Sequence, residues 1–210
     1  MSDAASPTPV GPDPEATRQA ILSGDPGRAL PALVELREVA ADQAVPLLLL
    51  GLAQEPFIIR SLSCAGLGVK RNEEGWSGLT QALRSDTDAN VRAEAANALV
   101  NYGVERAWPL LRDSFLHDGQ WLVRCSILSA LAEQPGIEPR VLLELAQLAV
   151  ADGDGTVRVG GAEILARLVR EAAGTTPLPR EAETARQGLN GLLQDADHRV
   201  VAAALNGLQT

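Results

Sequence analysis

The sequence predicts an all-α chain whose helical pairs stack into an α-α superhelix, and three observations predict it. Aromatic residues make up 3% of the 210 residues while Ala and Leu dominate, a bias toward helices packed through small and medium side chains. Five segments, PFIIRSLSCAGLG, DANVRAEAANALV, GQWLVRCSILSAL, DGTVRVGGAEILA and DHRVVAAALNGL, align on an apolar anchor. The anchors Ile59, Val91, Val123, Val157 and Val200 are spaced 32, 32, 34 and 43 residues apart, and periods of about 20–50 residues mark repeat architectures. Within each period two patterns follow one another, for example GWSGLTQAL and then VRAEAANAL, apolar at i, i+3 or i+4, and i+7 as one helix face requires.

In chain order, residues 1–13 are expected to form a disordered tail, since they lack the basic stretch and apolar run of a secretory signal. The stack is expected over 14–210, in units near 14–40, 43–70, 74–102, 105–134, 138–171 and 182–210, about five to six helical pairs. The first unit is degenerate: Gly27 stands 32 residues before Ile59, and Pro31 is expected to distort the start of its second helix. In the next unit the second helix is expected to stop at Gly66 or Gly68, with Lys70 and Arg71 suited to a helix C-terminus. Trp76 and Trp108 fall 15 residues before their anchors, in a column with Ala44, Leu142 and Ala185 that is expected to be buried on the outer helix. An inserted loop, AAGTTPLPRE at 172–181, accounts for the long last step. No pair buries its apolar face alone, but stacking the pairs makes a continuous core.

Three polar columns keep the same register. Five residues before the anchor stand Gln54, Asp86, Asp118, Asp152 and Asp195; three before it, Pro56, Asp88, Gln120, Asp154 and Asp197; one after it, Arg60, Arg92, Arg124, Arg158 and then Val201. An Asp three before the anchor is placed to cap the second helix, accepting from the free N–H groups of its first turn, and Pro56 suits a first helical turn in its own copy. Together the acidic and Arg columns read as a structural ladder in which one unit's turn carboxylate bonds the next unit's Arg. The competing reading is a basic ladder for anionic ligands.

Binding residues are sought where packing does not dictate the side chain. Two residues before the anchor lie Phe57, Ala89, Trp121, Gly155 and His198, and an aromatic at such a turn is expected to be partly exposed. Trp121 and then Phe57 are the leading contact candidates, because Trp and Tyr are enriched in binding hot spots. Along the expected inner face the middle units carry Glu94, Asn97, Asn101, Ser126, Ser129 and Glu133, a polar and mildly acidic groove.

Composition narrows the function classes. With 18 Lys and Arg against 27 Asp and Glu, a net charge of −9 gives a field that repels a phosphate backbone, so nucleic acid is not an expected partner. No apolar run approaches the roughly 18 residues of a membrane span. Two distant cysteines, Cys64 and Cys125, and two histidines make neither a disulfide framework nor a zinc site, which fits a reducing, cytoplasmic setting. Asp152-Gly153-Asp154-Gly155 lacks the later ligands of a calcium loop and reads as a repeated turn. No phosphate loop, serine elbow or H-E-x-x-H is present, so no metal, cofactor or catalytic residue is expected.

The repeat resembles the HEAT family. Its fullest form, D-x-x-V-R-x-x-A-A-x-A-L from Asp88 to Leu99, resembles the phycobilisome-lyase HEAT-like subclass of cyanobacteria, of the bilin lyase E/F type, over about residues 43–210. The resemblance implies a HEAT-repeat solenoid acting as a non-catalytic, protein-binding adaptor or chaperone-like factor, with phycobiliprotein subunits of the photosynthetic phycobilisome as partners. One alternative is a subunit of a bilin lyase or lyase-isomerase, with a bilin as ligand; another is a HEAT scaffold of a different pathway. For the lyase, the inner face offers Glu94 and Glu133 as carboxylates for pyrrole nitrogens but few free cations for propionates. The last unit ends at Ala202-Ala203-Ala204-Leu205 without a polar capping helix, which predicts docking to a second copy or a partner chain.

Overall fold

The computed structural model describes residues 13–209, so most of the tail expected at 1–13 lies outside the described residues. Asp13 is the N-cap of the first helix, its carboxylate accepting from Glu15 N. Among the described residues all regular structure is helical, and it divides after Tyr102 into two compact units.

The first unit holds α1 (Pro14–Leu22), α2 (Pro26–Glu35), a short 3-10 turn (Leu36–Glu38), α3 (Ala41–Leu52), α4 (Phe57–Val69), α5 (Glu73–Ser85) and α6 (Ala89–Val100). The second holds α7 (Val104–His117), α8 (Trp121–Ala132), α9 (Pro139–Val150), α10 (Gly155–Glu171), α11 (Arg180–Leu192) and α12 (His198–Leu208). Successive helices pair as hairpins, and second helices pack on second helices, α2 on α4 and α4 on α6 in one unit, α8 on α10 and α10 on α12 in the other. All five anchors are fully buried. The apolar period therefore marks where each second helix meets its neighbours.

The turns explain where helices begin. Asp88, Asp154 and Asp197 cap α6, α10 and α12 by accepting from the N–H two residues on, and Asp25 does so for α2. Pro56 and Gln120 hold the same place before α4 and α8 without a side-chain bond; Pro56 sits at the cap and not, as expected, inside the first turn. The inserted loop spans 172–179 and brings α11 in at Arg180.

Three expectations are corrected. First, α2 runs unbroken through Pro31, because its buried face, Ala29, Ala32 and Leu33, holds the helix against the pairs beside it. Second, α4 does not stop at Gly66 or Gly68 but continues to Val69, with Lys70 as its C-cap. Both glycines are packing residues: a Cβ on Gly68 would lie 2.9 Å from the Ala98 Cα on α6, and one on Gly66 would strike Leu48 on α3.

Third, Trp76 and Trp108 are half-buried and not in the buried column. The turns after their helices, 86–88 and 118–120, are shorter than 53–56 or 193–197. One residue is about 100° of helix rotation, so the buried positions become Gly75 and Leu79 in α5, and Ala107 and Leu111 in α7. Trp76 instead packs edge-on against Tyr102, ring centroids 5.5 Å apart, and the Tyr102 hydroxyl donates to the Leu67 carbonyl at 2.9 Å.

Candidate functional site

Each pair turns over at a polar corner. The acidic residue five before the anchor accepts the backbone N–H two residues on: Asp86 from Asp88 N, Asp118 from Gln120 N, Asp152 from Asp154 N and Asp195 from Asp197 N, all at 2.8–2.9 Å. The Arg just after the anchor then ties its own corner. Arg60, Arg92, Arg124 and Arg158 donate Nη1 to the carbonyls of Gln54, Asp86, Asp118 and Asp152.

Guanidiniums of this column also reach a neighbouring corner with two parallel bonds. Arg60 binds Asp86 at 2.7 and 3.0 Å, Arg124 binds Asp152 at 2.6 and 3.0 Å, and Arg158 binds Asp195 at 2.9 Å twice. The direction is opposite to the one expected from the sequence: each Arg reaches forward to the next pair's carboxylate. The partner is also not the capping Asp: Asp88, Asp154 and Asp197 each turn Oδ1 to a helix N–H, and Asp197 Oδ2 accepts from the Arg199 guanidinium. The cause is local, since Nη1 held at its own corner leaves the Nε–Nη2 edge pointing along the stack.

Charge follows geometry at these corners. The Arg158 guanidinium holds the Asp195 carboxyl below its ordinary range. Burial pushes the Asp86 carboxyl up, but the bonds from Arg60 and Asp88 N outweigh it and leave the group lowered. Asp197, bonded by Arg199 and by the Arg199 N–H, is lowered to about 2. In Arg60, Arg124 and Arg158 the planar donor edge is thus taken up by the fold.

The aromatic column stands at the same corners in solvent. Phe57 and Trp121 are the first residues of α4 and α8, and keep 45% and 46% of their surface exposed. On α6, Glu94 and Asn97 are half-buried, and Asn101 is exposed beyond the helix end. Burial pushes the Glu94 carboxyl up, against a bond from Asn97 that lowers it. On α8, Ser126 is half-buried and Ser129 exposed, with Glu133 exposed at the C-cap. Leu205 is exposed on α12.

Both thiols are held protonated. Cys64 is buried in α4 and desolvation raises it to about 12, while Cys125, half-buried in α8, is raised by the same cause. Among the described residues no cluster of His, Cys, Asp and Glu could hold a metal ion, and no helix is long and apolar enough to cross a membrane.

The polar reading of the inner face missed its apolar end. The α4 positions that correspond to Glu94, Asn97 and Asn101 are Leu62, Ala65 and Val69, and beside α2 they line a groove of about 90 Å³ with Leu33, Val34, Leu36 and Leu48. The spacing of Ile58, Leu62, Ala65 and Val69 was the signal for it. A buried core helix with the same spacing reads identically until its neighbours are known.

Helical pairs, buried anchors and Asp/Arg corners recur along the chain. Residues 45–132 match the family model for HEAT repeats. The protein has an all-α fold of helical pairs with HEAT repeats over residues 45–132, and two solved structures agree with that fold. An engineered protein is 21% identical, covering 94% of this chain and 96% of that chain, with a TM-score of 0.51. Human deoxyhypusine hydroxylase in complex with glycerol is 14% identical, covering 93% and 96%, with a TM-score of 0.50. The complex of CpcE and CpcF of phycocyanin lyase from Nostoc sp. PCC7120 is 21% identical, covering 94% and 100%, with a TM-score of 0.42. No curated protein matches the chain in sequence.

Proposed function

We propose that this HEAT-repeat protein is a non-catalytic protein-binding adaptor, and that its partners are phycobiliprotein subunits. One observation carries the adaptor reading: at the repeat corners the cationic column is consumed by the stack, while the aromatic column, Phe57 and Trp121, is left in solvent. Aromatic side chains that bring large area at low entropic cost are the usual anchors of a protein interface. The phycobiliprotein partner is supported by the resemblance of the Asp88–Leu99 segment to the phycobilisome-lyase HEAT-like subclass. A lyase working through a thiolate gains no support from Cys64 or Cys125, whose thiols are both raised.

The test is size-exclusion chromatography of the full chain with phycocyanin subunits, apo and bilin-loaded, followed by visible absorbance. Co-elution that weakens by about tenfold or more in Trp121→Ala or Phe57→Ala, with melting unchanged, is the expected outcome. Transfer of free bilin to the apo-subunit would replace the adaptor by the lyase reading. A peak that ignores both subunits and bilin would overturn the phycobiliprotein partner and leave a HEAT scaffold of another pathway.

A further inference from the structure

The groove between α2 and α4 is an apolar surface that stacking leaves open in the first unit. Ile58, Leu62, Ala65 and Val69 recur at i, i+4, i+7 and i+11 along one face of α4, a stripe about 16 Å long at 1.5 Å per residue. Across it stands Val34 of α2, and Val34 and Val69 keep 47% and 59% of their surface exposed. Leu33, Leu36, Leu48 and Gly66 make the floor.

Two quantities choose the occupant. The hollow measures about 90 Å³, whereas pockets for small molecules and cofactors run to about 300–1,000 Å³; it takes one or two aliphatic side chains and not a ligand body. The stripe above it covers three helical turns, the footprint of an amphipathic helix laid into a groove. Charge then selects among such helices. The charged residues lining the groove are Arg37 and Lys70, both cationic, in a chain of net charge −9. The Lys70 ammonium donates to the Arg37 backbone carbonyl at 2.6 Å, which fixes this cation at the lip that Arg37 also lines.

We infer that the α2/α4 groove docks an acidic amphipathic helix of a partner protein, aliphatic side chains entering between Val34 and Val69 and carboxylates meeting Arg37 and Lys70. The inference rests on the protein-binding reading, and it adds the place and the chemistry of the contact. It does not depend on the partner being a phycobiliprotein.

The probe is a fluorescein-labelled three-turn peptide with Leu at i, i+4, i+7 and i+11 flanked by Glu, paired with a twin carrying Lys at each Glu. Anisotropy titrations of the full chain should show the acidic peptide bound about tenfold or more tighter than its twin at low salt, with the gap narrowing as salt is added. Val69→Asp, at a solvent-exposed site, should abolish binding of the acidic peptide, and Arg37→Glu with Lys70→Glu should reverse the preference between the twins. Equal affinities, a preference for the basic twin, no binding of either, or an unaffected Val69→Asp would each overturn the inference. So would a dimer in light scattering that Val69→Asp dissociates, because a second copy would then fill the groove. Phycocyanin binding lost only in Trp121→Ala, with peptide binding absent, would sink this groove and leave the adaptor; peptide binding without phycocyanin binding would keep the groove and overturn the phycobiliprotein partner.

Discussion

Two carboxyl groups set opposite pH signs on stability. Asp195 is lowered by Arg158, so in the folded state it holds its proton less tightly than in the unfolded chain. Its pairing stabilises fully above the ordinary carboxylate pKa of about 3.9 and is lost as the pH falls through the lower folded value. Asp195→Asn should therefore melt below the parent at neutral pH, and the gap should close as the pH drops beneath about 4. Glu94 is raised by burial, so the folded state prefers its protonated form, and stability falls as pH rises through that raised value. Glu94→Gln should melt above the parent at neutral pH and lose the advantage in acid. Thermal melts of both variants from neutral pH into acid check the two signs together; parallel curves would remove the assigned causes.

Helix packing, and not helix propensity, decides which glycines are tolerated. In an exposed helix Gly→Ala stabilises by roughly 0.5–1 kcal/mol. Gly191 in α11 has open space where a Cβ would stand, and Gly191→Ala should follow that rule. Gly68 in α4 would put a Cβ 2.9 Å from both the Cα and the Cβ of Ala98 on α6. Backbone is the obstacle, so α4 and α6 must part, and Gly68→Ala should cost roughly 1–3 kcal/mol. Urea midpoints of the two variants, moving in opposite directions, measure the closeness of that helix contact.

At the scale of the whole molecule, helical pairs that touch only near neighbours within each unit make each unit quasi-one-dimensional, and damage stays local. Arg60 and Asp86 show the expected consequence. Their side chains are mostly buried and joined by two bonds, and Arg60 also holds the carbonyls of Gln54 and Glu55. Arg60→Ala should cost roughly 2–3 kcal/mol by leaving Asp86 without its cation. Amide exchange should accelerate in α3 to α6 while α9 to α12 keep the protection of the parent. Uniform acceleration along the chain would show a single cooperative unit in place of a stack.

The repeat itself was legible in the residues. The anchors 32–34 residues apart up to Val157, the capping Asp before α6, α10 and α12, and the pairing of two helices per period depend on local spacing and first-turn chemistry. That an Arg column and an Asp column belong together was also visible, since two recurrent opposite charges at one register imply contact. Which Asp each Arg takes was decided by the stack, because Arg60 and Asp86 are 26 residues apart and meet only when pairs are laid side by side. Tertiary structure likewise decided that Gly68 is a contact and not a stop, that Trp76 lies beside the buried column, and that the stripe from Ile58 to Val69 is left open. Periodicity says that a face is apolar; only the neighbours in space say whether that face is covered.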